Sequence, residues 1–164
     1  MSTAQQTDGQ RALMPPTTKS VLRFTVLGDA QPAGSKRAFI HPGTKRAIVT
    51  DANKKSKPWQ AEVKAAAFDA IDADFELVRG PVELTLTFYR VRPKGHYGSG
   101  RNAGVVKDSA PEYPTTRPDA LKLARAVEDA LTNVLYADDS QIVDEHLHKR
   151  FGEPARCEVE VVYG

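Results

Sequence analysis

Four side chains between residues 117 and 141 have the types and spacing to work on a phosphate ester. Asp119 opens the amphipathic segment RPDALKLARAVEDAL, and Asp138 and Asp139 follow it in ADDSQ. Arg125 lies on the polar face of the same segment, one and a half helical turns beyond Asp119. Hard divalent cations prefer carboxylate oxygens. A cation so held lowers the pKa of its bound water, and a nearby guanidinium takes up charge as a phosphate reacts. Asp119, Asp138 and Asp139 are therefore candidate metal ligands, with Mg2+ or Mn2+ as the cofactor and Arg125 as the cation that assists. The same residues have plainer uses. Asp119 suits a helix N-terminus, with Thr116 of TRPD as cap of a capping box. Asp138, Asp139 and Ser140 suit a turn before a strand. Spacing alone leaves both readings open, and His96, His146 and His148 add no stronger ligand set.

One residue in that segment is out of place. Leu123, Val127, Ala130 and Leu131 form a buried face with Ala120 and Ala124 beside them, which turns Leu121 to the opposite side with Arg125 and Glu128.

The elements that must carry these side chains can be read from periodicity. SVLRFTVLG (20–28) alternates as a strand, and Pro32 and Gly34 then break the chain. AFIHPGTKRAIVT forms two short strands joined at Pro42-Gly43. SKPWQAEVKAAAFDAI predicts a helix, with Ser56 as cap, Pro58 in the first turn, and Trp59, Val63, Ala66 and Ala70 at helical spacing. PVELTLTFYRVR (81–92) is the clearest strand, with Val82, Leu84, Leu86 and Phe88 on one face. Residues 93–116 have no period and form a long basic loop, the kind that usually serves binding. A helix at about 118–132, the connection NVLYADD, a strand at 140–150 and a last strand in RCEVEVVYG complete the order β-β-β-α-β-α-β-β. That order predicts a single α/β (α+β) domain over 21–164, a mixed β-sheet covered by two helices. Residues 1–20 read as a disordered polar tail.

Charge is unevenly placed. Residues 34–57 hold seven Lys and Arg against one acid, and residues 90–117 hold six against two, although the net charge is only +2. Two basic segments on an otherwise acidic chain suggest a polyanion. Their Gly, Asn, Ser and Thr content suits phosphate oxygens. Lys36, Arg37, Lys54 and Lys55 in the first segment are candidate DNA contacts. So are Lys94, Arg101, Lys107 and Arg117 in the second, and Lys122 beyond it. The single cysteine, Cys157, excludes an internal disulfide and any cysteine cluster for zinc. It sits in an alternating strand as a buried thiol. With no run of 18 apolar residues and no apolar h-region at the start, the chain predicts no membrane segment and a reducing, cytoplasmic setting.

RPDALKLARAVEDALTNVLYADDSQIV resembles the signature of the RusA family of Holliday-junction resolvases. That family carries Pro-Asp-x-Asp-Asn/Lys-Leu, then Lys or Arg, then Asp-Ala-Leu, and later Asp-Asp-(Ser/Ala)-Gln-Val/Ile. FTVLGDAQPAGSKR is similar to the family's first strand and turn, VTDANKKSKPWQAEVKAAA to its second hairpin and first helix, and PKGHYGSGRNAG…SAPEYPTTRPD to the long basic loop of phage and prophage members. The resemblance covers about residues 21–164. It implies a metal-dependent endodeoxyribonuclease acting as a homodimer on four-way DNA junctions in a bacterial or phage setting.

On this resemblance the first catalytic acid falls on Asp119, the basic residue on Arg125 and the last metal-binding acid on Asp139, with Asp138 beside it. Asp129 matches the aspartate of Asp-Ala-Leu, a structural position. The second catalytic acid falls on Leu121. Three readings follow. The site is dead and the chain only binds DNA; or Glu128 replaces the lost ligand; or Asp119, Asp139 and Asp138 suffice, with water filling the gap. Glu128 lies on the same helix face within about 20° of Leu121 but roughly 10 Å along the axis, so it could serve only if the metal shifts.

Overall fold

In the computed structural model, which describes residues 18–34 and 36–164, β4 (Val82–Arg90) runs through the middle of a four-stranded sheet. The expected tail lies almost wholly outside the described residues. The sheet also contains β1 (Ser20–Leu27), β5 (Ile142–Phe151) and β6 (Arg156–Tyr163), in the order β1-β6-β4-β5. β4 and β5 are parallel and the other pairs antiparallel, so the sheet is mixed as expected. A parallel pair needs a long crossover. Here it holds the 93–116 loop and the helix α2 (Ala120–Leu131). The other helix, α1 (Ser56–Ala70), packs against α2 and β1. β2 (Lys36–Ile40) and β3 (Ala47–Asp51) pair only as a separate hairpin.

The core is where alternation placed it. Val82, Leu84, Leu86 and Phe88 are fully buried beneath Trp59, Val63 and Ala67 of α1 and Leu123, Val127, Ala130 and Leu131 of α2. Cys157 lies in the same core, where burial pushes its thiol up to about 12, a structural thiol. Among the described residues no helix is long and apolar enough to cross a membrane.

Several local expectations are corrected. Ser56 does not cap α1: Lys55 is the N-cap, with no side-chain cap bond, and Ser56 is buried inside the first turn. The buried stripe runs through Ala67, leaving Ala66 and Ala70 half-buried. Thr116 does not cap α2 either. The N-cap is Asp119, its side chain makes no cap bond, and the Thr116 carbonyl accepts from Lys149 Nζ at 2.7 Å. The connection after α2 is no mere linker, since Val134, Leu135 and Tyr136 join the core.

The 93–116 loop is built of local bonds, which leave no period in the sequence. Two 3-10 turns, Lys94–His96 and Gly100–Asn102, are closed by a bridge between Tyr97 and Val106. Arg92 ties the far side down: it donates to the Pro111 carbonyl at 2.7 Å and lies 4.1 Å from the centre of the Phe151 ring.

Candidate active site

The two ends of α2 have opposite characters. At the N-terminal end Asp119 is exposed and has Lys122 Nζ at 3.6 Å. It shares a groove of about 500 Å3 with Asp29, Asn53, Arg90, Arg117 and Lys122. The backbone before it is clamped from the sheet: Arg90 donates to the Arg117 carbonyl at 2.8 Å, and Lys149 to the carbonyls of Thr116 and Pro118 at 2.7 and 3.0 Å. Burial, and then Arg90, push the Lys149 pKa down, while Asp119 acts against them. Cations outnumber the carboxylates here.

At the other end Glu128 is half-buried against Glu145 of β5. Burial first, then Glu145, and then the charges of Asp139 and Asp129 push Glu128 up to about 7. The Glu145 Oε1 atom is buried without a hydrogen-bond partner. Neither carboxylate can donate while ionised, so the pair needs a proton or a cation between its members. Tyr136 donates to the Glu128 carbonyl at 3.3 Å, and its phenol is raised far above its usual pKa by burial and by Glu128.

ADDSQ divides its labour. Asp138 accepts from Ser140 N at 2.9 Å and its own N–H donates to Gln141 Oε1 at 2.9 Å, a complete capping box. The bonds to Ser140 hold its carboxyl below the usual range. Gln141 Nε2 then ties the turn to the carbonyls of Val78 and Gly80 at 3.0 and 2.8 Å. Asp138 thus builds the turn, and Asp139 is the acid whose charge reaches Glu128 and Tyr136.

One chain does not bring Asp119 and Asp139 together. At 1.5 Å per residue, Asp119 and Glu128 lie roughly 13 Å apart along α2. Lys149, beside Asp119, is separated from Ile142, next to the Asp139 turn, by about 23 Å of strand. Among the described residues no group of three or more acids, histidines or cysteines is gathered to hold a metal ion. The donor chemistry of the Glu128 end nevertheless fits a hard divalent cation: carboxylates facing each other, one oxygen buried without a partner.

Arg125 lines a depression of about 610 Å3 with Lys36, Lys57, Gln60 and Asp129. A neighbouring depression shares Lys36 and Lys57 with it, shares Asn53 with the Asp119 groove, and adds Lys54. A continuous basic strip therefore runs from Arg117 and Lys122 past Lys54 to Lys36 and Arg125. Arg37 and Lys55 are exposed beside it, while Lys94, Arg101 and Lys107 are exposed on the separate loop. Lys107 Nζ is used within that loop, donating to the Gly95 carbonyl at 2.9 Å.

Residues 29–162 match the family model of Endodeoxyribonuclease RusA. The chain belongs to the RusA family. It is also 32% identical over 143 residues to the uncharacterized protein YqaN of Bacillus subtilis (strain 168), a match covering 85% of this chain and 94% of that protein.

Within this RusA-family fold Leu121 is 71% exposed, so nothing in the core demands a leucine there. Glu128 is more buried than its place on the polar face suggested, because α2 lies across β5. Glu145 was not singled out in the sequence. In IVDEHLHKR, strict alternation from Ile142 puts Glu145 on the face away from the core. A bulge between Val82 and Glu83 leaves Val143 unpaired and shifts the phase, so that Glu145 stands opposite Leu84 and Lys149 opposite Phe88. Both charged groups are thereby turned to the helix-covered face, one toward Glu128 and the other toward the backbone before Asp119.

Proposed function

We propose that the chain is a Mg2+- or Mn2+-dependent endodeoxyribonuclease that resolves four-way DNA (Holliday) junctions by paired nicks, acting as a homodimer through its domain at 21–164. The observation that carries this reading is the Glu128–Glu145 pair beside Asp139, with Glu145 Oε1 buried and unpartnered. A cation there would be held by Glu128 and Glu145, with the charge of Asp139 beside them. When bound, it supplies an activated water and a Lewis acid for the phosphate. Asp119 stands too far off to join it within one chain. In a two-fold dimer with α2 antiparallel to its copy, the acid-rich end of one subunit meets the cation-rich end of the other, and Asp119 faces Asp139 of the partner subunit. Such a dimer has two equivalent sites, as paired nicking of a symmetric junction requires.

The chain's own residues do the rest. Arg117, Lys122, Lys54 and Lys36 bind phosphates along the strip, and Arg125 takes up charge on the reacting phosphate. Arg37, Lys55, Lys94 and Arg101 add outlying phosphate contacts, and Lys107 contributes by holding the loop. Asp138 positions Asp139. Recognition is of backbone shape more than of bases, since these side chains are the kind that grip phosphate. Leu121 leaves Glu128 and Glu145 to supply the carboxylate that the family resemblance assigns to its position.

A second reading, a junction-binding protein impaired in catalysis, is favoured by one observation: the exposed Leu121 offers no ligand at the Asp119 end. Incubating the chain with a synthetic four-way junction and Mg2+ or Mn2+ separates the two. Symmetric nicks support the nuclease; tight binding with intact strands supports the impaired protein.

A further inference from the structure

The β2–β3 hairpin is unusual for what it exposes. Phe39, Ile40 and Val49 are 48%, 68% and 60% exposed, and among the described residues none of the hairpin belongs to the core. Every residue of β2 is exposed. An isolated two-stranded hairpin is marginally stable in water, and exposed apolar side chains on both of its faces, Phe39 on one and Ile40 with Val49 on the other, mark an element that meets something.

The cations around these side chains say what. Lys36 and Arg37, which open β2, and Lys45 and Arg46, in the turn before β3, are all exposed and flank the apolar residues. Phosphates suit these cations, and base faces suit Phe39 and Ile40.

The hairpin is also held in place. At its tip His41 N donates to the Arg46 carbonyl at 2.9 Å, and His41 Nδ1 accepts from Gly43 N and Thr44 N, both at 3.2 Å. At its base Ala33 N donates to the Lys122 carbonyl of α2 at 2.8 Å, and Asn53 Nδ2 to the Pro32 carbonyl at 3.1 Å. Gly34 is required there: a Cβ would stand 2.9 Å from the Asn53 backbone nitrogen. The hairpin therefore projects from the basic strip that carries Asp119 and Arg125, with Lys36 lining both.

We propose that this hairpin is a wedge. Phe39 and Ile40 enter the branch point of a DNA junction and stack on bases opened there, while the flanking cations hold the adjoining phosphates. Apolar side chains prise apart base steps in this way in proteins that bend DNA. The proposal rests on the junction reading above and deepens it.

The test uses a four-way junction carrying 2-aminopurine at the branch point, without divalent cation so that the strands stay intact. The full chain is expected to raise the fluorescence at least about two-fold as the base unstacks. The Phe39→Ser/Ile40→Ser double variant should still bind the junction, within roughly ten-fold of the parent, and give no rise. Phe39→Trp should keep the rise, and its new indole should be quenched by junction DNA. A double variant that raises the fluorescence as the parent does overturns the wedge. So does a double variant that light scattering finds monomeric where the parent is a dimer, which makes the tip a subunit contact. A parent that binds no junction sinks the junction reading itself, and the wedge with it.

Discussion

The two ends of α2 pose opposite electrostatic problems. At its start Asp119 is surrounded by Lys122, Arg117, Arg90 and Lys149, and its charge is more than matched. Two and a half turns later Glu128 and Glu145 face each other with Asp139 near, and among the described residues no cation pairs with them. One helix thus carries a finished half, whose acid is matched by cations, and an unfinished half, whose facing acids are not so matched among the described residues. On the proposed function the cation, and with it the chemistry, belongs to the unfinished half, because a group in want of a counter-charge binds a cation most strongly.

The contrast can be broken most severely at Asp139. Asp139→Asn should lower metal-dependent nicking at least about 100-fold while leaving junction binding unchanged or tighter, since a negative charge near phosphate is removed. A gel nicking assay beside a binding titration measures both. A melting temperature lowered by many degrees would make Asp139 structural instead.

Glu145→Gln probes the unfinished half alone. Mn2+ affinity, read by calorimetry, should fall roughly 10–100-fold, whereas duplex binding along the basic strip should hold. Unchanged metal affinity would remove Glu145 from the site.

A smaller effect tests the same half without metal. Burial raises Glu128 from the ordinary 4.5 to about 7. Across that window the folded chain keeps a proton that the unfolded chain has released. The stability it contributes is complete below about pH 4.5 and is lost as pH rises through 7. Glu128 is partly exposed, so screening trims this to about 1 kcal/mol, roughly 2–4 °C in Tm. In chelator, Tm should fall between pH 5 and 8. Glu128→Gln should flatten that fall, and Mn2+ should restore the Tm more at pH 8 than at pH 6. A Tm that rises over this range contradicts the pair.

Leu121→Asp should have the smallest effect on the fold. The exposed leucine leaves no cavity, helix propensity costs about 0.5 kcal/mol, and an acid in the first turn offsets part of that. Metal affinity or nicking should rise modestly, since the finished half then offers a second carboxylate. Unfolding would show that Leu121 packs on another subunit.

Much of the fold was legible because alternation in β4 and the apolar face of α2 are strong, regular signals: Leu84, Phe88, Leu123 and Val127 are buried as read. Asp119, Arg125 and Asp139 could be singled out because they lie on or beside one helix. Glu145 could not, since its orientation depends on an unpaired Val143, which no period in β5 records. The separation of Asp119 from Asp139 was equally hidden. They are close in sequence, but α2 and β5 run side by side in opposite directions and carry them apart. Nor could Thr116 and Ser56 be known not to cap, since a cap depends on backbone entering at the right angle.

The composite site can be tested most directly by mixing two inactive chains. Asp119→Asn and Asp139→Asn homodimers should each fail to nick. In the mixed dimer one site has lost both acids and the other keeps Asp119 from one subunit and Asp139 from its partner. After co-refolding, the mixture should nick one strand of a four-way junction, giving a nicked and unresolved product. If each chain builds its site alone, every site in the mixture lacks an acid, and no nicking returns.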